Sequence, residues 1–117
     1  MPSAPVQAGR EAAEVPTILE SGSLRMDVER HTVTLSGALV ALALKEFEVL
    51  ELLLRDAGRV VPRVVLLDRV WAGETSATAK ALDATVRRLR DRIEPDPLVP
   101  ARLVTVRGLG YRLDPLV

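Results

Sequence analysis

The sequence predicts an α+β domain: an N-terminal antiparallel sheet, then three helices, then a C-terminal β-hairpin. Three patterns predict it. Apolar residues alternate with polar ones over residues 24–35, recur every three or four positions over 44–54 and again over 82–93, and return to short β-like runs on either side of Arg107-Gly108-Leu109-Gly110. At 117 residues and 48% hydrophobic content, the chain can bury one core but not comfortably two.

The order of elements follows from local chemistry. Residues 1–17 hold three prolines and little apolar bulk, too little to offset the entropy of ordering, and read as a flexible linker or tail. Residues 18–117 form the folded domain. Leu24, Met26 and Val28 alternate with Arg25, Asp27 and Glu29, and Val33 and Leu35 alternate with Thr32 and Thr34, which suits half-buried strands. Glu29, Arg30 and His31 form one turn and Ser36-Gly37 another, after which residues 38–42 supply a further short strand.

Leu44, Phe47, Leu50, Leu53 and Leu54 place the apolar face of a first helix, stopped by Gly58. Pro62 opens a short second helix, because its missing N–H is one of the first-turn orphans, and Leu66, Leu67, Val70 and Trp71 supply its apolar face. Thr78 is an acceptable N-cap for a third helix running to about Glu94, ended by Pro95 and Pro97. Residues 102–106 and 111–113 then pair as a hairpin whose tip carries Gly108 and Gly110 where positive φ is useful.

Composition narrows the function classes. The absence of cysteine excludes a disulfide framework, a thiolate-bound zinc and a cysteine nucleophile, and fits a reducing, cytoplasmic setting. The longest apolar run, residues 38–44, is about a third of a bilayer crossing, so no membrane partner is expected. No phosphate-binding loop, clustered carboxylate pair or supported nucleophile occurs, and neither a cofactor nor enzyme activity is expected. His31 is the only histidine and reads as a surface turn residue, without a second metal ligand nearby.

The net charge of zero conceals an uneven distribution. Residues 80–112 carry eight Lys/Arg against four Asp/Glu, whereas residues 1–79 carry eight against eleven. On the third helix, Leu82, Val86, Leu89 and Ile93 form one narrow apolar stripe, leaving Lys80, Arg87, Arg88, Arg90 and Arg92 to project away from the core. Ala81, Ala84 and Thr85 share a surface face with Arg88. A DNA major groove admits an α-helix, arginine pairs bidentately with guanine, and Ala or a Thr methyl can touch the thymine methyl. The same helix also reads as a solvated face with Asp83–Arg87 and Arg87–Asp91 pairs. A basic hairpin following a helix–turn–helix is the order of a winged helix, and it tips the balance toward DNA.

The stretches LKEFEVLELL at 44–53, GRVV at 58–61, LLDRVW at 66–71, LDATVRRLRDRIEPDP at 82–97 and TVRGLGYRL at 105–113 resemble, in order and spacing, the winged-helix effector domain of OmpR/PhoB-type response regulators. The resemblance covers roughly residues 24–113. It implies a four-stranded N-terminal sheet, three helices and a wing, with sequence-specific binding to double-stranded promoter DNA, often as tandem protomers on direct repeats. It further implies that Lys80, Asp83, Thr85, Arg87, Arg88 and Arg90 meet bases and phosphates, with Arg88 and Thr85 foremost for base edges. Thr105, Arg107 and Tyr111 match wing positions that contact backbone or minor groove. Trp71 is expected in the core with an N–H contact, and the free domain as a weakly associating monomer.

Departures from the family pattern sharpen the reading. Thr85 stands where many members have a longer residue such as histidine, so the half-site cannot be borrowed. Ala43 replaces a Thr cap, and Pro62-Arg63-Val64-Val65 replaces a Ser-x-x-Glu start. A lost cap costs about 0.5–2 kcal/mol. Val64 and Val65 are expected to extend the core. A receiver domain normally precedes this module, so residues 1–17 are expected either as its severed linker or as the tail of a chain that is the whole protein. The competing reading is a protein-interaction module docking on RNA polymerase through residues 72–78 and the Val64–Val65 surface.

Overall fold

The computed structural model describes residues 17–74 and 79–116. Four short strands, β1 (Ile18–Ser21), β2 (Leu24–Asp27), β3 (Thr32–Leu35) and β4 (Ala38–Leu39), form an antiparallel sheet in that order. Leu24 faces Leu35 and Met26 faces Val33 across the β2–β3 ladder, so their alternation delivers one apolar face to the core. His31, Ser36 and Gly37 adopt positive φ in the connecting turns. The pattern at β1 escaped the sequence reading because its inward positions are Leu19 and the polar Ser21, a weak alternation over four residues.

Helix α1 (Leu44–Arg55) buries Phe47, Val49, Leu50, Leu53 and Leu54. Leu44, expected on that face, is 58% exposed, because at about 100° per residue it lies about 120° around the axis from Leu50. Ala43 supplies no side-chain cap, but Glu46 reaches back to accept the Ala43 N–H at 3.0 Å, preserving half of a capping box. His31 also does more than occupy a turn: its ring stacks on Phe47 with centroids 3.7 Å apart.

Strand β5 (Val60–Pro62) precedes α2 (Arg63–Val70) and joins the hairpin strands β6 (Leu103–Val106) and β7 (Gly110–Leu113) in a second sheet, ordered β5-β7-β6. Pro62 ends this edge strand and is the N-cap of α2, a place where a missing N–H is tolerated. Val64 and Val65 do not extend the core. They are 69% and 37% exposed, since α2 turns Leu66 and Val70 inward and Val64 falls on the opposite face. Trp71 is buried, with the Lys45 ammonium 5.5 Å from its ring.

Helix α3 (Ala79–Ile93) packs on α1 and α2 through Leu82, Val86, Leu89 and Ile93, the predicted stripe, all fully buried. The expected cap Thr78 lies outside the described residues. The end of α3 is tied down by Glu94, whose buried carboxylate accepts the backbone N–H groups of Ala101, Arg102 and Leu103. Arg102, also buried, donates to the Ile93 carbonyl, to Ser23 and to the Leu116 carbonyl, linking α3 to the first sheet and the C-terminal segment. Gly108 has φ +78, as its turn demands. Gly110 is needed for a different reason: a Cβ there would run into the Val61 carbonyl oxygen across the β5–β7 pair.

Candidate nucleic-acid interface

Helix α3 stands as a ridge between two clefts. The wing-side cleft, about 600 Å³, brings Asp83, Arg87 and Arg90 together with Thr105 and Tyr111 of the hairpin and Arg63 of α2. The other, about 380 Å³, lies between α3 and the start of α1, with Trp71 and Arg88 in its walls. Helix α3 and the hairpin therefore meet across the first of these clefts.

The charges of α3 divide into two sets. Lys80, Arg87 and Arg88 are exposed, and among the described residues none of them forms an ion pair or side-chain hydrogen bond. Asp83, the expected i,i+4 partner of Arg87, turns instead to Arg63 at 2.9 Å and accepts the Tyr111 hydroxyl at 2.7 Å. Arg63 also donates to the Tyr111 oxygen at 3.1 Å. Hydrogen bonding from Tyr111, and then from Arg63, holds the Asp83 carboxyl below its ordinary range. Burial first, and then the Asp83 hydrogen bond, pushes the Tyr111 phenol up, while Asp83 raises Arg63.

Arg90 belongs to the paired set. Its guanidinium donates twice to the Leu103 carbonyl, at 3.0 and 2.8 Å, and once to Thr105 Oγ1 at 2.8 Å. It also sits 5.9 Å from the Tyr111 ring. Tyr111 itself is buried. In the free domain, then, Asp83, Arg90, Thr105 and Tyr111 hold one another, with Tyr111 buried and Asp83 and Thr105 still open to solvent. Arg107, at the hairpin tip, is exposed and among the described residues unpaired.

Thr85 departs from the surface position expected of it. It is 3% exposed, and its hydroxyl donates to the Ala81 carbonyl one turn back at 3.0 Å. The reason is rotational: Thr85 lies between the apolar stripe and Ala81, on the flank that packs toward α1. Sequence reasoning missed Arg63, which reads as an ordinary charge in the first turn of α2 and gains its role only through the long-range approach of α3 and the wing.

A family model described as "Transcriptional regulatory protein, C terminal" matches residues 37–113. The "Sensory transduction protein RegX3" of Mycobacterium leprae is 56% identical over 97 residues, 83% of this chain and 49% of its own length, so the chain spans about half of that relative. Among solved structures, the Thermotoga maritima OmpR/PhoB homolog DrrB superposes with TM-score 0.80 and 34% identity, covering 90% of this chain and 48% of that one. The RstA DNA-binding domain of Klebsiella pneumoniae, solved in complex with the RstA box, superposes with TM-score 0.76 and 30% identity, covering 86% and 100%. From this match, and from the helices and wing described above, the chain belongs to the family of transcriptional regulatory protein C-terminal domains, the winged-helix effector domains of OmpR/PhoB type.

Proposed function

We propose that this domain regulates transcription by binding specific double-stranded promoter DNA, with α3 in the major groove and the hairpin wing on the adjacent backbone or minor groove. The observation that carries the reading is the unpaired trio Lys80, Arg87 and Arg88 on the outward face of α3, beside a wing whose tip presents Arg107. Unpaired guanidinium groups need no internal contact broken before they meet a base edge or phosphate. Arg88 is the base reader, Arg87 and Lys80 grip phosphate or base edges as the groove allows, and Arg107 holds backbone. Asp83, Arg90, Thr105 and Tyr111 act chiefly by fixing the wing relative to α3. The relative solved in complex with its DNA box supports DNA as the ligand.

Protomers binding tandemly on direct repeats, with the free domain monomeric, complete the proposal. A second reading, docking on RNA polymerase, is favoured by the exposure of Val64 and Val65 on α2. The test is selection of bound sequences from a random duplex pool, followed by titration of the winner and a scrambled duplex at two salt concentrations. If about four to six phosphates are neutralised, the log–log salt slope lies near −4 to −5. A slope near zero with no enriched motif would contradict DNA binding and favour the protein-docking reading.

A further inference from the structure

One apolar feature of α3 is unexplained by folding. The cleft between α3 and the start of α1 is lined by Leu44, Trp71, Ala81, Ala84, Thr85 and Arg88, together with Lys45 and Glu46, whose charged ends are taken up by the Val70 carbonyl and Glu74 and by the Ala43 N–H. Leu44 is 58% exposed in the first turn of α1, although nothing in the core requires an open leucine there. Thr85 commits its hydroxyl to the Ala81 carbonyl, so it offers this recess no free polar group. Ala81 and Ala84 leave space that a longer side chain would fill. The unpaired Arg88 guanidinium stands on the same cleft.

The occupant follows from what a major groove displays. Base edges there present hydrogen-bond donors and acceptors with a single apolar exception, the C5-methyl group of thymine. An apolar recess beside an unpaired arginine, on the flank of the helix proposed to enter the groove, complements that methyl and no other groove-facing group. We infer that the Leu44–Ala81–Ala84 recess takes the C5-methyl of a thymine in the base pair neighbouring the one read by Arg88. This inference rests on the DNA-binding reading above and adds a specificity determinant to it. The bound site should therefore hold a T·A pair next to the guanine that pairs with Arg88. Leu44 and Ala84 contribute to sequence choice without making a hydrogen bond.

The test uses the full 117-residue chain and the duplex recovered by selection. Each thymine is replaced singly by deoxyuridine, which removes the methyl and leaves every hydrogen-bonding group in place. Burial of one methyl predicts about a fourfold loss of affinity at one position and little change at the others. With Ala84→Gln, which fills the recess with a longer side chain, thymine and uracil duplexes should bind alike at that position. Uracil tolerated at every thymine while specific binding persists overturns the inference and leaves the DNA reading standing. Discrimination that survives Ala84→Gln places the methyl elsewhere and overturns it too. A chain that binds no duplex overturns both.

Discussion

On the wing-facing flank of α3, Asp83 and Arg90 are held by Tyr111, Arg63, the Leu103 carbonyl and Thr105. Lys80, Arg88 on the α1-facing side and Arg87 at the rim of the wing-side cleft have no such hydrogen bond or ion pair among the described residues, and Arg87 acts on Asp83 only through its charge. The residue types are the same and the helix is the same, so charge alone does not say what each does. A charge already satisfied inside the domain sets geometry. One left facing solvent, on a surface flanked by basic elements, is available to a ligand. A chain of zero net charge can present a cationic face because its surplus of basic residues lies in residues 80–112 and its surplus of carboxylates in residues 1–79.

The largest effect is expected at Arg90. Arg90→Ala removes the donors to the Leu103 carbonyl and Thr105, and hydrogen bonds to charged groups contribute about 1.5–3 kcal/mol. Urea unfolding of the free domain should show a loss of that order, and DNA affinity should fall evenly across sequences. Unchanged stability would remove Arg90 from its positioning role.

Asp83→Asn should have a smaller effect, below about 1 kcal/mol, because the pair is half open to solvent and screened. Its pH dependence is more telling. The Asp83 carboxyl is lowered in the folded state, so its contribution is present above the ordinary value of 3.8 and disappears as pH falls through the lower folded value. The Tyr111 phenol is raised, so its contribution is present below 10.0 and disappears as pH rises through the higher folded value. Thermal unfolding of wild type and Asp83→Asn should therefore differ by a constant amount across the neutral range and converge in acid. A gap that widened in acid would contradict the pairing.

The smallest effect is expected at the wing tip. Arg107→Ala should weaken selected and scrambled duplexes alike and flatten the salt slope by about one unit, as the loss of one phosphate contact requires. Affinity titrations at several salt concentrations check this, and an unchanged slope would take Arg107 off the backbone.

Helix periodicity made the core of α3 legible in advance, since Leu82, Val86, Leu89 and Ile93 all face inward. The wing was legible from its glycines, although Gly110 serves close backbone approach rather than a positive φ. What sequence could not show was long-range pairing. Asp83 and Arg87 stand at the right spacing for a local ion pair, yet Asp83 finds better partners in Tyr111 and Arg63, which only the fold brings near. Thr85 was misread for a related reason: four positions from Ala81 it is a helix-face neighbour, but its own rotation sends it toward α1. Strand β5 was hidden because Pro62 reads as a helix start and is also the last residue of an edge strand.

The role of Arg88 is decided by titrating Arg88→Ala against a panel of duplexes in which each base pair of the selected site is changed in turn. A bidentate base contact predicts a loss of about 1–3 kcal/mol with relaxed preference at a single base pair and unchanged stability of the free domain. A uniform loss across the whole panel, with preference retained at every position, would place Arg88 on a phosphate and contradict its role as the base reader.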